Sequence, residues 1–264
     1  MNTQKQTAIV TGSSKGIGRA IAKQLLLQGY QVVVTSRKKE DAENVAAVLS
    51  EETKATALGL AFDLEDPAGP KQLIEETINA LGRLDVLVNN ALSISINVDP
   101  LTCDEHLIDA GITANITNVV KLCRHAYPHL KESKGNIINI SSSVTKRYVL
   151  GLPLYAMSKA AILKLTEAFA AEWAKDCVRV NAVNPGFTDS DAAAGLGLTE
   201  AQISKLHGHF DEFQLLGTAV PENIAPLITY LASKDASMVT GAIIDIDGGH
   251  HVQGHPLFPR DLFA

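Results

Sequence analysis

A tyrosine and a lysine four residues apart are the side chains of this sequence best suited to acid–base chemistry. Tyr155 and Lys159 stand in the segment YAMSK, and residues at this spacing share one face of a helix, so the phenol and the ammonium can lie close together. A phenol with its usual pKa of about 10 is a poor base at neutral pH, and a neighbouring positive charge favours the phenolate. The pair could therefore exchange a proton with a ligand, although this spacing also occurs on ordinary helices.

Two further polar side chains are predicted to meet this pair. Ser142 follows the apolar run Asn136–Ile140, and a hydroxyl at the end of a parallel strand can donate to a ligand carbonyl and stabilise developing negative charge. Asn115 lies inside a predicted helix over 105–130, where asparagine is a poor helix former. A kink with a bound water that links Asn115 to Lys159 would explain its position, and a solvent-facing asparagine is the alternative.

A glycine-rich turn follows the first predicted strand, Thr7–Val10. Residues 11–18 read TGSSKGIG and lead into a predicted helix over 17–28. Glycines let the backbone turn tightly and approach a pyrophosphate, which the positive end of the helix attracts. A purely structural turn is the alternative, but the place at the first strand–helix junction favours a dinucleotide site. The residues of that site would be Gly12, Ser14, Lys15, Gly16, Ile17 and Gly18.

The end of the second predicted strand, 31–35, indicates which dinucleotide is bound. A site selective for NAD usually places a carboxylate here, whereas this chain has Ser36 and then Arg37. Lys15 would approach the same corner of the ribose, and two cations match a 2′-phosphate. We therefore predict NADP(H), the alternative being that both cations are solvated surface charges. Asp63, after the third strand, would either accept a hydrogen bond from adenine or begin a turn.

The elements that position these groups alternate along the chain. Continuous apolar runs separated by helix-length segments predict parallel strands that are covered on both faces. We therefore predict an α/β fold, a Rossmann-type doubly wound, seven-stranded, mostly parallel sheet with helices on both faces. The strands are predicted at 7–10, 31–35, 56–62, 86–88, 136–140, 178–183 and 242–246. The helices are predicted at 17–28, 39–50, 70–80, 105–130, 155–175 and 222–232.

Composition indicates one folded domain over 1–264. Of the 264 residues 46% are hydrophobic and 20% are charged, which is typical of a globular chain and not of a disordered one. Within that domain the irregular segment 188–214 is predicted to be a mobile cap over the site, and 250–264 a C-terminal extension. The net charge of −6 and the lack of a dense basic face argue against a nucleic-acid partner. Without a signal peptide or a membrane-length apolar run, we expect a cytoplasmic protein.

Cysteine and histidine spacing does not predict a metal site or a disulfide framework. The cysteines at 103, 123 and 177 are far apart and form no CxxC motif. Several histidines occur without a partner at ligand spacing, so we predict no metal and expect solvent-facing loop positions for them. These histidines are His207, His209, His250, His251 and His255.

Taken together, these segments resemble the short-chain dehydrogenases/reductases of the single-domain type, in their NADP-preferring subset. The resemblance runs from residue 7 to residue 249, with Ser142 and Tyr155 at the spacing of that family. Its carriers are TGSSKGIG at 11–18, Asp63, LDVLVNNA at 84–91, Asn115, IINISSS at 137–143, YAMSK at 155–159, NPG at 184–186 and DGG at 247–249. One departure is Leu92, which stands where the family usually has glycine and would reshape the pocket.

The resemblance implies a role for each matching residue. Tyr155 would be the general acid/base, and Lys159 would lower its pKa and hold the nicotinamide ribose. Ser142 would orient the carbonyl, and Asn115 would anchor a water that relays protons. Both Tyr155 and Lys159 would also contact the cofactor. Further cofactor contacts are implied for Asp63, Leu64, Asn90, Pro185, Gly186, Thr188 and Ser190.

The implied activity is an NADP(H)-dependent interconversion of a ketone and a secondary alcohol on a small molecule. One alternative is reduction of a 3-oxoacyl group on an acyl carrier protein, for which the only docking cations are the scattered Arg124, Lys131 and Lys134. Another is a non-catalytic NADP-binding regulator, which would be expected to lack the Tyr, Lys or Ser. The family implies a homotetramer, with a homodimer second. The apolar side chains at 257, 258, 262 and 263 predict that the tail packs on a neighbouring subunit.

Overall fold

The strands form one parallel sheet in the computed structural model, which describes residues 5–93, 99–189 and 199–253. Across this part of the chain the order is β3-β2-β1-β4-β5-β6-β7, and all neighbouring strands run parallel. The strands are β1 (Thr7–Val10), β2 (Gln31–Ser36), β3 (Ala57–Ala61), β4 (Val86–Asn89), β5 (Asn136–Ile140), β6 (Arg179–Pro185) and β7 (Ile243–Ile246). The predicted seven-stranded Rossmann-type sheet is thus confirmed. The order reverses between β1 and β4, where ligands bind in open sheets.

Helices cover both faces of this sheet. They are α1 (Gly16–Leu27), α2 (Lys39–Thr53), α3 (Gly69–Leu81), α4 (Glu105–Ile112), α5 (Asn118–Ser133), α6 (Pro153–Trp173), α7 (Glu200–Phe213) and α8 (Pro221–Ala232). One buried cluster joins the sheet to α1, α2 and α8, and a second joins it to α3, α5 and α6. Val32 and Val34 belong to the first cluster and Val33 to the second. Because both sides of each strand are buried, the strands read as continuous apolar runs.

The predicted single helix over 105–130 is wrong in one respect. A π-helical turn, Thr113–Thr117, separates α4 from α5. Inside that turn Asn115 is 5% exposed. Its side-chain nitrogen Nδ2 donates to the carbonyl oxygens of Ser93 (3.1 Å) and Gly111 (3.0 Å). These bonds explain why a poor helix former is accommodated there. The alternative of a solvent-facing asparagine is excluded.

The segment expected to be least regular contains a helix instead. α7 occupies Glu200–Phe213 and begins with a capping box, in which the Thr199 hydroxyl accepts from the Gln202 amide (3.3 Å) and the Gln202 side chain accepts from the Thr199 amide (2.8 Å). Thr-x-x-Gln is a known helix-start pattern, so the prediction overlooked a signal that the sequence contained. Residues 190–198 of the expected cap and 254–264 of the expected extension lie outside the described residues.

Two other expectations concern the chain as a whole. The cysteines at 103, 123 and 177 form no disulfide, and Cys123 is buried in the core. Within the described ranges, no helix combines the length and the apolar character needed to cross a membrane.

We predict opposite effects from the same glycine-to-alanine change at two positions. A Cβ at Gly59 in β3 would lie 2.5 Å from the backbone carbon of Ala42 in α2, so Gly59→Ala should lower the free energy of unfolding by about 1–3 kcal/mol through overpacking. Gly208 in α7 has open space around it, so Gly208→Ala should raise that free energy by up to about 1 kcal/mol. Urea unfolding followed by circular dichroism measures both. Shifts of the same sign would contradict the packing argument.

Candidate active site

The glycine-rich turn between β1 and α1 provides a backbone cradle. Gly12 has φ of +62° and Gly16 of +55°, conformations that favour glycine. A Cβ at Gly18 would lie 2.5 Å from the side-chain nitrogen of Asn90. No side chain caps the start of α1, and its first turn has no acidic residue. The amides there therefore remain available to a ligand anion, and the cradle fits the pyrophosphate of a dinucleotide.

The end of β4 holds this cradle in place. The Thr11 hydroxyl accepts from the backbone amides of Asn90 and Ala91, both at 2.9 Å. In return the Asn90 side chain donates to the carbonyl oxygens of Thr11 (2.9 Å) and Gly12 (3.0 Å). Asn90, which the resemblance placed beside the cofactor, therefore also shapes the turn. Thr11 was not identified from the sequence, where it is the unremarked first residue of the glycine motif.

The two cations of the predicted 2′-phosphate pocket stand in the glycine-rich turn and directly after β2. Lys15 and Arg37 are both exposed, and neither forms an ion pair with the described residues. Asp63 acts as a turn residue, because its carboxylate accepts from the amide of Glu65 at 2.9 Å. Its neighbour Leu64 is buried. The turn alternative for Asp63 is thus realised, while an adenine contact stays a prediction.

Tyr155 and Lys159 lie on α6 beside the end of β5, as the helix spacing predicts. The ammonium of Lys159 donates to the carbonyl oxygen of Ile140 at 2.8 Å and lies 5.8 Å from the centre of the Tyr155 ring. The Ser141 hydroxyl donates to the Lys159 carbonyl at 3.0 Å, which ties the helix to the strand. Ser142 follows directly, and its hydroxyl interacts with that of Tyr155.

The pKa values of this pair differ from the simple expectation. Burial raises the pKa of Tyr155, and the interaction with Ser142 offsets this only in part. Burial also lowers the pKa of Lys159 to about 8. In the cofactor-free protein desolvation thus dominates for Tyr155, because the buried amine is directed at the Ile140 carbonyl. The predicted lowering of the Tyr155 pKa also involves the positive ring of bound NADP+ and stays a prediction. Before any cofactor binds, the pair is a protonated phenol beside an easily neutralised amine.

Asn115 and Lys159 meet at a small cavity of about 10 Å³. This volume is about the minimum that a water needs, and polar groups line it. The side chain of Asn115 is already occupied, since it also accepts from the Ser93 amide at 2.9 Å. The cavity walls are formed by Asn89, Ala91, Asn115, Val119, Ile140, Ser158, Lys159 and Ile162.

A larger cavity of about 520 Å³ joins the glycine cradle to the Tyr155 side of the sheet. The predicted site residues in its walls are Gly12, Lys15, Gly16, Ile17, Gly18, Asn90, Ser142, Tyr155, Lys159, Pro185, Gly186 and Thr188. Leu92, the departure from the family pattern, lines it as well. The predicted residues outside its walls are Ser14, Arg37, Asp63, Leu64 and Asn115. Ser190 lies outside the described residues.

On the α7 side of this cavity Phe187, an expected pocket residue, contacts Phe210 and Gln214, which the sequence analysis did not identify. Phe210 of α7 stacks on Phe187, with ring centres 4.2 Å apart, and both rings line the cavity. Gln214 is 1% exposed, and its amide donates to the carbonyl oxygens of Phe187 (3.1 Å) and Gly217 (2.9 Å). A Cβ at Gly186 would collide with Gln214. A glutamine in a polar segment carries no sequence signal for such a role.

The expectation of solvent-facing loop histidines is wrong for His207, His250 and His251, which are partly or fully buried, whereas His209 is exposed but lies on a helix and not in a loop. His207 and His209 lie on α7, and both contact aromatic rings. His251 is held by the Asp247 carboxylate at 2.8 Å, and His250 is buried in the cavity wall. His255 lies outside the described residues. Within 5–93, 99–189 and 199–253 no group of three or more potential ligand side chains is placed to hold a metal ion.

A Rossmann-type sheet with a glycine cradle and a tyrosine–lysine–serine cluster defines a nicotinamide-dependent oxidoreductase. A family model described as short chain dehydrogenase matches residues 6–201. The chain is 34% identical over 253 residues to 4-formylbenzenesulfonate dehydrogenase of Comamonas testosteroni, covering 96% of this chain and 100% of that protein. Identity to meso-2,3-butanediol dehydrogenase of Serratia marcescens is 32%, covering 94% and 96%.

A solved structure extends the likeness to three dimensions. L-sorbose reductase from Gluconobacter frateurii, complexed with NADPH and L-sorbose, matches with a TM-score of 0.86 and 27% identity, covering 95% of this chain and 98% of that chain. The chain therefore belongs to the short-chain dehydrogenase/reductase family. Its members bind a nicotinamide cofactor, and this protein is an oxidoreductase of that family.

Burial of Lys159 predicts that Lys159→Met stabilises the protein without cofactor. The pKa of Lys159 falls from 10.5 to about 8 on folding, because the folded state disfavours the charged amine. Below about pH 8 the folded protein carries this charge, and the full cost of burying it lowers the free energy of unfolding. At pH 7 the substitution should raise the free energy of unfolding by roughly 3 kcal/mol. The gain should shrink as pH rises from about 8 to 10.5, where the unfolded state binds the extra proton.

Urea unfolding across that pH range measures the difference between variant and wild type. Lys164→Met on the same helix is the matched control, because the Lys164 side chain is 81% exposed, and it should change stability little at any pH. A Lys159→Met protein no more stable than wild type at pH 7 would contradict the desolvation argument.

Proposed function

We propose that this protein is an NADP(H)-dependent oxidoreductase that interconverts a small-molecule ketone and its secondary alcohol. One observation carries the proposal. The hydroxyls of Ser142 and Tyr155 and the amine of Lys159 converge on one wall of a cavity whose other end is the glycine cradle. A dinucleotide bound in the cradle would extend its nicotinamide towards these three side chains. A substrate whose oxygen contacts them would then have its reactive carbon beside the nicotinamide.

The mechanism follows from the protonation states of these residues. A nicotinamide bound in the cavity would supply or accept the hydride. The Ser142 hydroxyl would donate a hydrogen bond to the substrate oxygen and stabilise the charge that develops on it. Tyr155 would donate its proton to that oxygen, and its raised pKa keeps the phenol protonated at neutral pH. The reverse reaction needs the phenolate and is therefore favoured by higher pH and by a positive charge near the ring.

Reprotonation of Tyr155 would use the small cavity behind Lys159. A water there would receive polar contacts from the walls that Asn115 and Lys159 share. Because the Lys159 pKa lies near 8, its amine can exchange a proton close to neutral pH. Asn115 would act through its place in the π-helical turn, since its side chain already bonds Ser93 and Gly111.

Preference for NADP(H) over NAD(H) is supported by charge at the ribose corner. Ser36 stands where an NAD-selective site carries a carboxylate, and the exposed Arg37 follows it. Lys15 lines the cavity at the cradle. Guanidinium and ammonium groups fit a 2′-phosphate, and the similar L-sorbose reductase was solved with NADPH.

Two other activities are less well supported. An acidic carrier protein would dock on cations, but Lys131 is already paired with Asp176 at 2.8 Å, which leaves Arg124 and Lys134 as scattered exposed charges. A non-catalytic regulator would have no need of the Ser142, Tyr155 and Lys159 cluster. The apolar walls of the cavity favour a small or hydrophobic ketone.

Assembly into a homotetramer or homodimer is part of the proposal. Tyr127 of α5 stacks with Trp173 of α6 at 4.5 Å between ring centres, and Phe169 stacks with Trp173 at 4.1 Å. All three rings remain partly exposed on these neighbouring helices. A second copy packed there would bury them, as aromatic side chains in subunit interfaces commonly are.

Tyr155→Phe tests the proton donor. The variant keeps the ring and loses the hydroxyl, so kcat for ketone reduction with NADPH should fall at least about 100-fold, the lower end of what a positioned acid contributes. NADPH affinity, measured by fluorescence titration, should change less than about threefold. Reduction of ketones at wild-type rates would contradict the assignment of Tyr155.

Arg37→Asp tests cofactor preference. An introduced carboxylate would repel a 2′-phosphate and accept from a 2′-hydroxyl, so the ratio of kcat/KM with NADPH to kcat/KM with NADH should fall about 10-fold or more. Initial rates with both cofactors and one ketone give the ratio. Lys38→Asp, the same charge change at the exposed next residue, is the control. A wild-type protein that favours NADH would refute the phosphate-pocket argument.

A further inference from the structure

His250 occupies a fixed position in the cavity wall. It follows β7 and Gly249, is 8% exposed, and begins the short helical turn His250–Val252. The Asp247 carboxylate accepts from the amides of Gly249 (3.0 Å) and His251 (2.9 Å), which holds the turn. Arg147 donates to the His250 carbonyl at 3.1 Å. Anchors on both sides therefore fix the backbone at His250, and its side chain lines the cavity.

The chemistry of the ring is that of a neutral hydrogen-bonding group. Its Nδ1 lies 3.4 Å from the Ser143 hydroxyl, and its Nε2 has no partner among the described residues. Burial and the nearby Arg147 charge lower the His250 pKa, so the imidazole is uncharged at neutral pH. One nitrogen then donates and the other accepts, as the tautomer dictates.

The wall around this ring is otherwise apolar on the substrate side. Ser142, Tyr155 and Lys159 act on the reacting oxygen, and the hydroxyls of Ser141 and Thr188 already donate to backbone carbonyl oxygens. The other polar groups in the described walls of this region are Ser143 and His250. The apolar lining residues are Leu92, Val144, Val149, Leu152, Phe187 and Phe210. A second polar group on the substrate would therefore lose its water without compensation unless it reached the polar corner of Ser143 and His250.

We propose that His250 is a specificity-determining residue that binds a second oxygen of the substrate, a hydroxyl on a hydroxyketone or diol. The inference rests on the proposed function. A hydroxyl both donates and accepts, so it pairs with Nε2 in either tautomer that Ser143 selects. A carboxylate could accept from Nε2–H in one tautomer only, and the neutral ring would leave its charge buried without a counter-charge. A ketone without a second hydroxyl would leave Nε2 without a partner, so the site should favour the hydroxyketone over it.

Matched ketones with NADPH test the proposal. One set is 2-butanone and 3-hydroxy-2-butanone, and another is 2-pentanone, 5-hydroxy-2-pentanone and 4-oxopentanoate. In wild type the hydroxyketone of at least one set should have a kcat/KM about tenfold above that of its plain ketone, mostly through KM. In His250→Phe that ratio should fall to near one while turnover of the plain ketone persists. His250→Gln, whose amide can donate and accept, should retain most of the ratio.

His106→Phe is the control, because the His106 side chain is 72% exposed, and it should leave the ratio unchanged. Thermal unfolding checks each variant, and His250→Leu replaces His250→Phe if the larger ring prevents folding. A wild-type ratio near one in both sets, or a ratio that survives loss of the imidazole, overturns the inference while the proposed function stands. Preference for 4-oxopentanoate overturns the hydroxyl assignment. No turnover of any ketone overturns the proposed function, and the inference falls with it.

Discussion

The bond between the buried Lys159 ammonium and the Ile140 carbonyl is the interaction on which the site depends. It joins α6 to the end of β5, and the Ser141 hydroxyl makes a second link to the same residue. Together they set the distance between Tyr155 on the helix and Ser142 after the strand. A buried ammonium is costly, and this one forms a hydrogen bond to a carbonyl that parallel-strand pairing leaves available at the edge of the sheet. Stability is given up here for a fixed reactive geometry, as is common at functional sites.

Hydrogen bonds of polar side chains also link neighbouring strands and helices along the same edge of the sheet. Thr11 and Asn90 join β1 to β4. Further in, Asn89 donates to Asn139 at 2.8 Å, and Asn139 donates to Thr166 at 2.9 Å, which links β4, β5 and α6. The bonds between Asn89, Asn139 and Thr166 are buried and therefore expensive to break. The strand ends thus form a rigid base, and both the glycine cradle and the Tyr155 cluster are built on it.

The opposite side of the cavity is attached differently. α7 rests on the base through the stacked rings of Phe187 and Phe210 and through the Gln214 amide. The turn after β7 brings in His250 by way of the Asp247 carboxylate. These contacts are few and are made by side chains, in contrast to the network of bonds that joins the strand ends. In the proposed function the substrate is selected on this side of the cavity, and the hydride and proton transfers take place on the base.

Much of the fold and half of the site could be predicted from the sequence, because both depend on local patterns. Apolar runs set the strands to within a few residues, and the motif spacing brought Tyr155, Lys159 and Ser142 to one wall of the cavity. A kink at Asn115 follows from its poor helix propensity, but its π-helical form and its bonds to Ser93 depend on a distant segment. The raised Tyr155 pKa of the cofactor-free protein depends on burial, so neither could be predicted. His250 and Gln214 were missed for the same reason. Contacts across the cavity exist only once the chain has folded, so the reactive groups were determined by sequence and their environment by tertiary structure.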